Sequence, residues 1–107
     1  MFNKKVSCGY KTQSPGIHYK TLVFGLCTSL HEFNLESGSK IPMHSHPHEQ
    51  TGYLVQGRMN FIFKERTILA EAGDSWSIPS QEEHGVHALE DCVVIEVFSP
   101  VRKEYIS

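Results

Sequence analysis

Apolar and polar residues follow one another in short runs rich in β-branched and aromatic side chains, broken by Gly, Pro, Ser and Asp. Alternation at a period of two marks strands half-buried on one face. The pattern predicts strands at Thr21–Phe24, Thr28–Leu35, Ile41–Ser45, Thr51–Val55, Met59–Lys64, Thr67–Glu71, Ser75–Ile78, Val86–Leu89 and Val93–Phe98. Turns are expected at Glu36-Ser37-Gly38, at Gly57, at Lys64–Arg66 and at Ala72-Gly73-Asp74. No segment sustains a helical period. Proline lacks the ladder donor, so Ser99-Pro100 should end the last strand, with a short turn or helix over Val101–Ile106. Many short strands with frequent turns predict an all-β sandwich or barrel.

The chain of 107 residues is expected to form one domain, 1–107, around one core. A net charge of −2 gives no electrostatic case for nucleic acid or a lipid surface. No apolar run reaches the length of a membrane span, and the first twelve residues lack the apolar stretch of a secretory signal. Cys8, Cys27 and Cys92 are widely spaced and odd in number, which argues against a disulfide framework and for a reducing, cytoplasmic setting.

Histidine changes the picture more than charge does. Five of the seven histidines, His44, His46, His48, His84 and His87, fall within two short stretches. On a regular strand His44 and His46 share a face, and Gln50 has the same parity. Imidazole suits Zn, Ni, Cu, Fe and Mn, and an amide oxygen can complete such a site, with His84 arriving from a distant strand. His48 and Glu49 are rival ligands. Pro47 disturbs the strand beside His48, and Glu49 points away from Gln50 unless a bulge intervenes.

The two stretches, Gly38 to Gly57 and Gly73 to Ala88, resemble the two signature motifs of the cupin superfamily, Gly-x5-His-x-His-x3-4-Glu-x6-Gly and Gly-x5-Pro-x-Gly-x2-His-x3-Asn. The spacings from Gly38 to His44, from His46 to Gln50, from Gln50 to Gly57, and among Gly73, Pro79 and His84 all match. The chain departs at Gln50 for Glu, Gln81 for Gly and Ala88 for Asn. The resemblance implies a cupin-type β-sandwich or jelly-roll barrel. It also implies one divalent metal ion, Zn, Ni, Fe, Mn or Cu, on His44, His46, Gln50 and His84. A neutral amide in place of a carboxylate would leave the metal more positive and a stronger Lewis acid.

On the last strand, Val94, Glu96 and Phe98 share one face and Val93, Ile95 and Val97 the other. A carboxylate inside an apolar strand is costly unless paired or protonated, and Arg102 is a candidate partner for Glu96. The segment Val-Phe-Ser-Pro-Val-Arg resembles that of small bacterial cupins, among them pectin- and alginate-degradation enzymes that linearise unsaturated uronates. In that group an acidic residue, a Phe and an Arg act beside the metal, and these positions fall on Glu96, Phe98 and Arg102. The group typically carries Asp where this chain has Glu96. The implied function is metal-dependent chemistry on a small oxygenated acid, with Glu96 and Arg102 catalytic and with Phe98 and Arg102 binding substrate. Alternatives are a cupin dioxygenase, a small-molecule sensor or binding module, and a metal-free structural dimer. A homodimer is expected, because a chain of this size has exposed strand edges and a modest core, with residues 17–35 contributing. Trp76 and Phe61 read as core residues, and Tyr53 as facing away from the cavity.

Overall fold

A computed structural model describes residues 1–106. Ten strands follow one another: β1 Lys11–Ser14, β2 Ile17–Phe24, β3 Ser29–Leu35, β4 Lys40–His44, β5 Glu49–Gln56, β6 Arg58–Phe63, β7 Thr67–Glu71, β8 Ser75–Ile78, β9 His84–Ala88 and β10 Cys92–Ser99. Each predicted strand is present, shifted at most a few residues at its ends. The short β1 lacks an apolar alternation and was not predicted. It forms by pairing with β2, with Thr12 opposite His18.

The strands make a six-stranded sheet in the order β1-β2-β3-β10-β5-β8 and a four-stranded sheet in the order β4-β9-β6-β7. Inward side chains of both sheets meet in one core: Ile17, Tyr19, Phe33, Leu35, Leu54, Val94 and Phe98 from the larger, Met59, Phe61, Ala70, Val86 and Ala88 from the smaller.

The expected barrel is corrected here. No ladder joins the two sheets among the described residues, and each keeps two free edges, β1 and β8 in one and β4 and β7 in the other. The alternation that predicts strands is the same for two stacked sheets as for a closed one, so it does not settle closure. The expected C-terminal helix is corrected too. Lys103–Tyr105 is a single 3₁₀ turn, without a side-chain cap at Arg102. Three residues are too few to sustain a helix. The last strand ends at Ser99, as the following proline requires.

Polarity runs along the inward face of the large sheet. Antiparallel pairing sets Leu35 opposite Cys92, Phe33 opposite Val94, His31 opposite Glu96 and Ser29 opposite Phe98. One end is therefore dry, and the other gathers buried polar groups beside Gln50, which pairs with Phe98 from the other side. Among the described residues no helix is long and apolar enough to cross a membrane.

Candidate metal centre

Three elements bring the histidines together. His44 closes β4 directly opposite His84, which opens β9. His46 lies in the connection between β4 and β5, not on a shared strand with His44. A main-chain bond from Gln81 N–H to the His46 carbonyl, 2.8 Å, ties this connection to the loop before β9. Gln81 holds φ at +67°, the left-handed conformation that favours glycine, so the backbone keeps the geometry of the expected Gly at this position. One ligand atom from each of His44, His46 and His84 lies within 4.8 Å of the others. His48 lies outside this cluster and contributes its carbonyl instead.

The ring nitrogens are already sorted. Nδ1 of His44 lies 2.9 Å from the Pro42 carbonyl, Nδ1 of His46 2.9 Å from the His48 carbonyl, and Nδ1 of His84 2.8 Å from the Glu82 carbonyl. A carbonyl only accepts, so each Nδ1 carries the hydrogen and each neutral ring keeps its lone pair on Nε2. Burial lowers the pKa of His46 to about 4 and also lowers that of His84, aided by neighbouring positive charge. His46 and His84 are thus held toward the unprotonated state, the one in which imidazole binds a metal.

Gln50 sharpens the case. Its Nε2 donates to Glu96 Oε2 at 2.6 Å, which turns its Oε1 toward His46 Nε2 at 2.8 Å. With Nδ1 protonated, two acceptors face each other there. With Nε2 protonated instead, the mismatch moves to the His48 carbonyl. With Gln50 held as donor to Glu96, neither neutral tautomer satisfies both sides of the ring, whereas a cation bound by Nε2 and Oε1 does. Three imidazoles and an amide oxygen are also a suitable donor set for a divalent first-row ion. The residues present fit a metal.

Glu96 is 4 % exposed and takes two hydrogen bonds, from Gln50 and from Trp76 Nε1 at 2.6 Å. Burial pushes its pKa up to about 8, against the pull of those two donors and of Arg102. The expected Glu96–Arg102 ion pair is replaced by another. Arg102 Nε binds Glu104 at 3.0 Å, and its guanidinium lies 4.7 Å from the ring centres of both Phe98 and Tyr105. Arg102, Phe98, Glu96, Gln50, His44 and His84 all line one cavity of about 60 Å³, room for a few waters.

Trp76 packs partly against the core, as its pattern predicts, and its indole N–H is also a partner of the buried carboxylate. Its even spacing from Ile78 on β8 was the available signal. Tyr53 is exposed on the outer face, as expected.

The profile of the Cupin domain family matches residues 31–98. The pectin degradation protein KdgF of Dickeya dadantii (strain 3937) is 31% identical over 65 residues, which span 59% of this chain and 59% of that protein. The solved structure of KdgF from a Halomonas species superimposes with a TM-score of 0.87 at 29% identity, covering 92% of this chain and 94% of that one. An RmlC-like cupin from Shewanella frigidimarina superimposes with a TM-score of 0.91 over 98% of this chain and 95% of its own; at 23% identity this shows the fold alone.

Proposed function

The chain belongs to the Cupin domain family, and from that premise we propose that it is a metal-dependent enzyme acting on a small oxygenated acid, with ring opening of an unsaturated uronate as the leading reaction. The observation that carries the metal is the meeting of His46 Nε2 and Gln50 Oε1, two acceptors that a bound cation bridges while Gln50 donates to Glu96. The similarity to KdgF proteins, one of them named for pectin degradation, supports the substrate class.

His44, His46, Gln50 and His84 would hold one divalent ion. When bound, it would supply a Lewis acid that polarises a hydroxyl or carbonyl oxygen. The chain's own groups would do the rest. Arg102 carries a guanidinium fixed between two rings at the cavity, and its remaining N–H groups suit a substrate carboxylate. Phe98 forms an apolar wall beneath it. Glu96, with its pKa near neutrality, can hold or release a proton at a carboxylate oxygen facing the cavity. The homodimer expected from the open sheet edges remains part of the proposal.

The test is turnover. Metal-loaded protein should consume a 4,5-unsaturated uronate, read as loss of the ultraviolet absorbance of its conjugated double bond, without oxygen uptake. Arg102→Lys should lose most of that activity while keeping metal content, because lysine does not reproduce the planar fork. Oxygen consumption would shift the reading to a dioxygenase, and ligand binding without turnover to a sensor module.

A further inference from the structure

Beside the histidines, β8, β5 and β10 run side by side. Register puts Trp76 opposite Gly52 and Gly52 opposite Glu96, so the glycine sits between the other two. A Cβ on Gly52 would overlap Glu96 Oε1 and Trp76 Nε1. The space a side chain would fill is taken by the 2.6 Å hydrogen bond from the Trp76 indole to Glu96 Oε1, reaching across β5. The other oxygen, Oε2, accepts from Gln50 Nε2. Gly52, Trp76 and Glu96 thus form one clamp on the amide of Gln50.

An amide has two nearly isosteric ends with opposite hydrogen-bonding character. Turned over, Gln50 would donate its NH₂ to His46 Nε2. That arrangement satisfies the ring internally and occupies the lone pair a metal needs. Only an acceptor behind Gln50 holds the amide the other way, and the ionised carboxylate of Glu96, with Oε2 2.6 Å from Gln50 Nε2, is that acceptor.

We propose that Gly52, Trp76 and Glu96 are positioning residues that lock the Gln50 amide with its oxygen toward the imidazoles and so keep the site open to a metal ion. This deepens the functional reading above and rests on its metal site. The lock also places a carboxylate directly behind the neutral ligand, one hydrogen bond from the position where the family motif has Glu. Partners at this remove typically tune metal affinity by about 10–100-fold.

The logic makes an unusual prediction for Glu96→Gln, which keeps shape and removes the charge. The Trp76 N–H needs an acceptor, so it captures the amide oxygen of the new side chain. The new NH₂ then faces Gln50 and turns it over, and Gln50 closes on His46. Zinc affinity, measured by competition with a chromophoric chelator, should fall about 10–100-fold. Adding Trp76→Phe removes the captor and lets the new amide turn its oxygen back to Gln50. The double variant should therefore bind zinc more tightly than Glu96→Gln alone. A purely structural role for Trp76 would make the double variant weaker still. Gly52→Ala breaks the same clamp without touching a charge and should also weaken zinc binding, with the fold checked by circular dichroism. Unchanged affinity in Glu96→Gln, or further loss in the double variant, would overturn the lock. Wild-type protein with no zinc affinity would remove the metal site itself, and the lock with it.

Discussion

Two buried histidines, His31 and His46, lie near the same end of the large sheet and meet their neighbours in opposite ways. Around His31 every donor finds an acceptor. The Arg102 backbone N–H donates to Ser29 Oγ, whose hydroxyl donates to His31 Nε2; His31 Nδ1–H donates to Thr21 Oγ1, whose hydroxyl donates to the Tyr105 carbonyl. The relay starts and ends on the C-terminal turn that carries Arg102. It is closed, fully satisfied and needs nothing from outside. Around His46 the same ring chemistry ends in a mismatch against Gln50. Burial lowers both pKa values to about 4, so burial does not distinguish them. What distinguishes the structural histidine from the candidate ligand here is whether the hydrogen-bond directions close. A buried network with one sign left over is a site for the missing charge.

The largest expected effect breaks the comparison at the unsatisfied ring. Divalent metal at about a thousandfold excess over its Kd should stabilise the wild-type protein by about 4 kcal/mol. His46→Ala should abolish that gain. His48→Ala should keep it, since His48 offers the site its carbonyl and not its ring. Thermal melts with and without chelator read the difference. Equal loss in both variants would place the ligand at the wrong histidine.

The next effect breaks the satisfied ring. His31→Leu leaves the buried Ser29 and Thr21 hydroxyls without their partner and should cost about 1–3 kcal/mol while leaving metal binding intact. Its pH signature has a definite sign. The native ring has a pKa near 4 and the ordinary value is 6.5, so between these the unfolded chain binds the proton and the native state does not. The His31 contribution to stability in the metal-free protein should be constant above about pH 6.5 and fall as pH drops toward 4. Glu96, with its pKa raised to about 8, contributes a slope of the opposite sign that is common to the wild type and the His31 variant. Arg102 adds to the lowering and Glu104 opposes it. His31→Leu should flatten this slope, and His46→Ala should remove a second share of it. A slope unchanged in His31→Leu, from urea titrations across that window, would count against a neutral, relay-bound ring.

The strands and the histidine cluster were legible in the sequence for different reasons. Alternation in Cys92–Ser99 shows directly which residues face inward, because side-chain period follows backbone geometry. The motif spacing picked out His44, His46, Gln50 and His84, yet the parity argument for them does not hold in full. His46 sits off-strand, and its position depends on the loop bond from Gln81, a contact between segments far apart in sequence. The same limit hid the Trp76–Glu96 clamp, which needs three strands in register around a glycine. The sequence-based pairing of Glu96 with Arg102 assumed that opposite charges near each other bind. Glu104, two residues away, takes the arginine instead. Strand β1 escaped because its pairing is set by β2 and not by its own pattern.

The smallest effect tests the loop that holds the unsatisfied ring in place. Gln81 adopts a left-handed conformation that costs a non-glycine residue about 1–2 kcal/mol. Glycine would relieve that cost and add about 0.5–1 kcal/mol of unfolded-state entropy against folding. The first term is the larger, so Gln81→Gly should stabilise the protein by about 0.5–1 kcal/mol. The bond that matters at this position is made by the backbone N–H to the His46 carbonyl, which glycine retains. Metal affinity should therefore be unchanged, although the position lies within one hydrogen bond of a ligand. Gln81→Pro removes that N–H and, because its ring fixes φ near about −65°, also forbids the left-handed backbone, so it releases the loop altogether. It should weaken metal binding by releasing the connection that carries His46, with His31 and its relay left as they are. Denaturant midpoints and zinc titrations on the two variants compare a loop relieved of strain with a loop released from its anchor. A glycine variant that loses metal affinity would show that the glutamine side chain, and not the main chain, holds the loop.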